Sequence, residues 1–352
     1  LQKALDGQRI QAAEALALWQ SQDITLLGNV ATRLYRRRTG RDGGVVTYIV
    51  DRNINYTNVC VTDCKFCAFY RKEGDAEAYV LPFDTIAAKI EEMAAHGGRQ
   101  ILLQGGHNAE LRIDYYENLF RRIKARFDIH LHALSPPEIV HLSKLSHLSL
   151  EETLRRLMAA GLDSIPGGGG EILVDRVRQI ISPKKCTTGQ WLGVMDAAHR
   201  LDLPTTATMM FGHVETLQER VEHLMRLRDQ QDRTGGFTAF ICWPFQPGTT
   251  PLAQRTGPRP VTGWDYLKTL AVSRILLDNF DNIQSSWVTQ GAKIGQAALF
   301  FGANDMGSTM FEENVVAAAG TVHHLDEPKI RRLIEDGGFL PQRRNMRYEF
   351  VT

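Results

Sequence analysis

The sequence predicts an α/β fold: a (β/α)8 TIM barrel preceded by an N-terminal helical cap and followed by a short C-terminal extension. Three observations carry this. Apolar or β-branched runs alternate with amphipathic helical stretches over most of the 352 residues, the pattern of parallel strands joined by crossover helices. The runs are continuous rather than alternating in polarity, as in strands covered on both faces. Eight such units occupy roughly 290 residues, the size of a (β/α)8 barrel; a six-unit partial barrel is the alternative. No linker or low-complexity tract divides the chain, so one catalytic domain is expected.

In chain order, residues 1–42 read as a helical extension. Leu5, Ile10, Ala13, Leu16 and Leu18 recur at roughly helical spacing, and Asp23 caps a second helix running to Arg38. Gly43-Gly44 break the pattern. The barrel is expected over 43–326, its first strand at 45–50 leading through Ile54 into a cysteine-rich loop. The next strands are expected at 100–103, 129–134, 162–165, 205–211, 237–243, 282–287 and 297–301. Between the second and third, Tyr116, Leu119, Phe120, Ile123 and Phe127 fall at i, i+3, i+4, i+7 and i+11, one apolar stripe facing the sheet. Residues 327–352 read as a helix and a closing tail.

Charge is balanced, with 41 Lys+Arg against 40 Asp+Glu, so nothing calls for nucleic acid or an anionic membrane, and a small-molecule partner is expected. No apolar run approaches the length that spans a bilayer and the first residues carry no signal-peptide core, so a cytoplasmic protein is expected. Leu1 in first place leaves room for residues upstream.

Of five cysteines, three form Cys60-Val-Thr-Asp-Cys64-Lys-Phe-Cys67, a C-x3-C-x2-C spacing. Three such thiolates suit a [4Fe-4S] cubane, each sulfur taking one corner iron and the fourth iron staying open to chemistry. A zinc site would need a fourth ligand, for which His107 or Asp63 could be imagined; a disulfide would need an oxidising compartment and even pairing. Cys186 and Cys242 lie far from the triplet and read as packing residues.

The triplet with an aromatic, Phe66, before its last cysteine resembles the motif of the radical S-adenosylmethionine (SAM) enzymes. The wider phrases Asn55-Tyr56-Thr57-Asn58-Val59-Cys60 and Cys64-Lys65-Phe66-Cys67-Ala68-Phe69-Tyr70 resemble the futalosine-pathway and deazaflavin-synthase branch of that superfamily. The resemblance implies a radical SAM type of barrel, a [4Fe-4S] cluster on Cys60, Cys64 and Cys67, and SAM as cofactor. It also implies an electron donor such as flavodoxin or ferredoxin. By the same resemblance Gln104-Gly105-Gly106 hold the amino group of SAM, and Glu171, after Gly167 to Gly170, meets its ribose hydroxyls. Gly170 stands where the branch has alanine. Arg178 and Lys185 are the candidate cations for the methionine carboxylate, Phe66 and Phe69 flank the adenine, and Ser135 contacts cofactor or substrate.

Within the branch, residues 132–139, 161–169 and 240–247 resemble the ring-closing enzymes of menaquinone biosynthesis. These act on a nucleoside-like substrate by taking hydrogen from a ribose C4' and joining that carbon to an aryl ring. That chemistry needs a base, for which His132, Asp305 and Glu312 are candidates. Gln246, Thr249, Asn304 and Thr309, in polar loops after apolar strands, are placed to recognise a ribose and an aryl acid. Two other branch chemistries stay open: addition of the adenosyl radical to an enol ether with loss of carbon dioxide, and deazaflavin formation. A non-catalytic iron–sulfur or zinc protein is the reading outside enzymes.

Overall fold

The structure, a computed structural model, describes residues 1–40, 44–257 and 260–351, so Gly43 and the expected boundary at 42/43 lie outside the described residues. Nine strands follow in chain order: β1 Val45–Ile49, β2 Arg52–Asn55, β3 Gln100–Gln104, β4 His130–Ala133, β5 Thr205–Phe211, β6 Phe237–Pro244, β7 Ile283–Gln284, β8 Asp305–Ser308 and β9 Leu340–Arg343. Every pairing between them is parallel. One sheet runs β5-β6-β7-β8-β1-β9 and the other β2-β3-β4. They join twice. β1 continues into β2 along the chain, and two bridges, His132 to Ser164 and Ile165 to Thr205, connect β4 to β5.

The fourth expected strand, 162–165, is thus reduced to these two bridges. Three other expectations change. The eighth strand is not at 297–301, which finishes the helix Trp287–Ala297 and forms a 3-10 turn over Ala298–Phe300. An apolar run of that length cannot be told from a buried helical turn by periodicity. The strand is β8, whose polar residues are buried because they are paired. The seventh strand is only Ile283–Gln284, since helix begins at Trp287. After the helix Glu327–Asp336, the tail is a strand: β9 lies beside β1 in the register Val45 to Leu340 through Tyr48 to Arg343.

The N-terminal helices Ala12–Gln20 and Ile24–Thr39 pack on the helical layer. Asp23 caps the second by accepting from Leu26 N at 2.8 Å. Lys268 bonds the carbonyls of Trp19 and Ser21, and Arg38 reaches Asp281 before the start of β7. The helix Ile113–Arg126 buries the expected stripe, Tyr116, Leu119, Phe120 and Ile123, each such side chain contributing roughly 1.5–3 kcal/mol relative to exposure. No helix among the described residues is long and apolar enough to cross a membrane.

Candidate active site

The chain leaves β2 into the cysteine loop, which is tied down by its own backbone. Cys60 N bonds Arg71 O, Val61 N bonds His107 O, and Lys65 N bonds Ile181 O at 2.7 Å. Asp63 turns the loop with φ of 52° and accepts from Lys65 and Tyr70. The hydroxyl of Thr62 lies 3.0 Å from Cys60 Sγ and 3.4 Å from Cys64 Sγ. All three thiols line a single cavity of ≈ 420 Å³ over the strand ends and in the barrel lumen, a size typical of cofactor and small-molecule sites. Burial pushes the Cys64 thiol up to about 11, against the pull of Lys185; it raises Cys67 as well. Metal binding must therefore displace protons. Among the described residues no three His, Cys, Asp or Glu side chains converge on a point suited to one metal ion. Three thiols lining one cavity suit three corners of a cluster, with the fourth iron left open.

Beside the loop, the turn Gly105-Gly106 is glycine for a reason the sequence did not suggest. A Cβ on Gly106 would run into Val59 O and the Cys60 side chain, and one on Gly105 would sit 2.6 Å from the Tyr56 ring. The missing side chains let the end of β3 lie under the cysteine loop. Glu138 fixes the turn. Its carboxylate accepts from Gly105 N and Tyr56 Oη, and from Ser135 N and Oγ at 2.7 and 2.6 Å. It also closes the capping box of the helix Pro136–Ser146. Burial raises this carboxyl in spite of the four bonds.

Opposite lies the shelf 167–170. Gly167 N bonds Thr206 Oγ1, and Thr208 Oγ1 bonds Gly167 O. Glu171 follows with φ of 30° and is buried to 4% exposure. One carboxylate oxygen accepts from Lys185 at 2.9 Å, and the other makes no hydrogen bond but pairs with Arg178 Nη1 at 3.5 Å. Lys185 lines the cavity, 5.4 Å from the Phe66 ring centroid. Arg178 does not line it. It sits behind the shelf, donating to the carbonyls of Gly169, Gly170 and Cys186.

Of the other residues singled out from sequence, Phe66, Phe69, Gln104, Ser135 and His132 line the cavity. His132 is tied by Nδ1 to Ser164 Oγ at 2.6 Å, the hydroxyl that also meets His130 Nε2. Burial first, then the nearby His130 and Arg344, hold its pKa well below the ordinary value, so it is neutral. Asp305, Glu312, Gln246, Thr249, Asn304 and Thr309 are not in the lining. Asp305 begins β8 and is clamped by Arg344 at 2.5 and 3.0 Å and by Thr47. Glu312 pairs with Arg52 and Lys89; burial raises its carboxyl but those bonds outweigh it and hold it low. Asn304 is buried against Arg274 and Ile283 N. Gln246 bonds Pro244 O and Thr321, Thr249 is exposed, and Thr309 is buried by the β1 end.

The chain's residues 54–227 match the radical SAM superfamily, and residues 234–352 match the CofH/MqnC C-terminal region. A cyclic dehypoxanthine futalosine synthase of Halalkalibacterium halodurans is 45% identical over 352 residues, covering all of this chain and 94% of that one. The chain belongs to the radical SAM superfamily. A second relative of that name, from Streptomyces coelicolor, is 44% identical over 100% of this chain and 88% of its own. A 5-amino-6-(D-ribitylamino)uracil–L-tyrosine 4-hydroxyphenyl transferase of Methanothermobacter thermautotrophicus is 42% identical over 100% of this chain and 96% of its own. Among solved structures, methylornithine synthase shares the fold with a TM-score of 0.76 at 16% identity, over 97% of this chain and 96% of that one. Membership in this radical SAM superfamily implies an iron–sulfur cluster and SAM, which the triplet of thiols and the cavity beside it can accommodate.

Sequence reasoning missed Asp51, Asn53, Gln100, Glu138 and Arg344, all of which line the cavity. The signal for the first two was present: Asp51, Asn53 and Asn55 are polar at i, i+2 and i+4, one face of a strand.

Proposed function

We propose that this chain is a radical SAM cyclase that converts dehypoxanthine futalosine to cyclic dehypoxanthine futalosine in menaquinone biosynthesis. The carrying observation is full-length identity of 45% and 44% to two relatives of that name. A [4Fe-4S] cluster on Cys60, Cys64 and Cys67, fed electrons by a flavodoxin or ferredoxin in the cytoplasm, would with SAM supply the 5'-deoxyadenosyl radical that takes hydrogen from ribose C4'.

The chain's own part is binding, orientation and proton handling. Gln104, Gly105 and Gly106 hold the amino end of SAM, Glu171 offers its carboxylate to the ribose hydroxyls, and Phe66 and Phe69 flank the adenine. Lys185 replaces Arg178 as the cation for the methionine carboxylate, since Arg178 is spent on carbonyls behind the shelf. Arg344 and Tyr348 line the same cavity. Once the sugar radical has joined the aryl ring, the resulting ring radical must lose a proton and an electron to restore aromaticity. His132 is the acceptor: it is the one of the three candidate bases that lines the cavity, it is neutral, and with Nδ1 tied to Ser164 it offers Nε2. Asp305 and Glu312 are occupied by Arg344 and by Arg52 with Lys89.

The 42% full-length identity to the tyrosine transferase favours a second reading, the ribitylaminouracil chemistry of deazaflavin formation. Aminofutalosine synthesis and a non-catalytic iron–sulfur or zinc protein are further alternatives. Anaerobic reconstitution, reduction and incubation with SAM and dehypoxanthine futalosine separate them. Formation of 5'-deoxyadenosine with a product two hydrogens lighter is expected. Deoxyadenosine without substrate loss would direct the test to tyrosine with the ribitylaminouracil, then to the enol ether substrate.

A further inference from the structure

The cavity has two tiers. The upper one holds the cysteines, the Gly105-Gly106 turn and Glu171. The lower one lies in the lumen, four residues further down β3 from Gln104, about 13 Å at ~3.3 Å per residue. Its polar groups are Asp51, Asn53, Gln100 and Ser308, all lining the same cavity.

Two of these keep a side-chain oxygen without a hydrogen bond. Asn53 and Gln100 are 6% and 3% exposed, yet Asn53 Oδ1 and Gln100 Oε1 make no hydrogen bond among the described residues. The orientation of Gln100 is fixed by a chain of donors. Met310 N donates to Ser308 Oγ, Ser308 donates to Asp51, and Gln100 Nε2 donates to the other Asp51 oxygen at 2.8 Å. The amide nitrogen therefore faces the carboxylate, and the oxygen is what remains for the cavity. Asn53, one strand over on β2 and opposite Leu102, has no side-chain hydrogen bond recorded at all among the described residues. Buried acceptors are rarely left unmade, and Gln100 Oε1, whose amide nitrogen is already held by Asp51, can be satisfied only by a donor. A hydroxyl fits both positions, donating to Gln100 Oε1 and either donating to or accepting from the amide of Asn53. Next to them Ile49, Leu102 and Ile241 offer apolar surface, suited to an aryl ring.

We propose that Asn53 and Gln100 form a subsite that takes the hydroxyl donors of a sugar-derived chain on the substrate, below the tier that holds SAM. The inference rests on the functional reading above for the identity of that chain, a ribosyl group; the rival reading would put a ribityl group there.

The test uses the reconstituted holoenzyme and reads binding by the fluorescence of the cavity-lining Trp243, with equilibrium dialysis as a check. The ligands are dehypoxanthine futalosine and its 2',3'-dideoxy analogue; the variants are Asn53→Ala, which breaks no bond in the fold, and Gln100→Leu. Wild type is expected to bind the parent about tenfold more tightly than the analogue, a difference of ~1.4 kcal/mol. Either variant should shrink that ratio. Equal affinity of wild type for the two ligands overturns the subsite. So does equal weakening of both ligands by the variants. If wild type ignores dehypoxanthine futalosine but binds the ribitylaminouracil, the functional reading fails; the subsite then stands if Asn53→Ala weakens that ligand about tenfold and falls if it does not. Binding of neither compound overturns both.

Discussion

Cys64 is the most deeply buried of the three clustered thiols, and its position makes it the most informative to remove. Cys64→Ala should abolish the visible absorbance of the cluster and all 5'-deoxyadenosine formation while leaving the far-UV circular dichroism intact, because two thiolates cannot hold a cubane with one iron open. An active, coloured variant would sink the cluster assignment. A second residue-scale effect concerns the histidines that the fold keeps neutral. Burial lowers His199 to about 4, His130 to about 4 and His223 to about 3. His199 is wedged between the hydroxyls of Thr234 and Thr205 against the Phe237 ring, and His223 Nδ1 accepts from Leu173 N. Folded values below the ordinary 6.5 mean that the unfolded chain binds protons first as pH falls. Stability from these groups is full above about pH 6.5 and is lost progressively down to about pH 4 for His199 and His130 and about pH 3 for His223. The urea midpoint should fall across that window, and fall less in His199→Gln; a flat profile would refute the account.

Strand β9 is the element whose role composition hides most completely. Its pairing with β1 carries Arg344 under the lumen onto Asp305, with side chains 3% and 0% exposed. Removing one partner of such a pair strands the other charge, at a cost of about 3–5 kcal/mol, whereas replacing both is much milder. Arg344→Met should therefore destabilise by that amount in urea, and Asp305→Asn with Arg344→Met together by clearly less; an additive double variant would contradict the pairing. The turn after β3 gives an element-scale prediction of another kind. Gly106→Ala should cut iron incorporation several-fold with a loss of no more than about 2 kcal/mol, since the Cβ would displace the cysteine loop without opening the core. Iron analysis and thermal melting on the same preparation check both halves.

At the scale of the molecule, the barrel brings residues from each of β1 to β8 and from the loops that follow them around one cavity, so ligands should stabilise the whole fold. Saturating SAM is expected to raise the melting temperature of the reconstituted protein by a few degrees through mass action, and to leave Cys64→Ala unmoved. The cysteine triplet, the alternation of strands and helices, the Gly-Gly turn and Glu171 were legible in the chain because each depends on residue type over a few positions. The barrel and the radical SAM chemistry follow from that much. The eighth strand, the strand in the tail, and the fact that Lys185 and His132 line the cavity while Arg178, Asp305 and Glu312 do not, were not. Each of those turns on which side of a strand or shelf a side chain falls and on which distant residue meets it there. Local pattern determines what elements form, while partners far apart in sequence, such as Arg344 and Asp305, decide which polar groups are satisfied inside the fold and which are left facing a ligand.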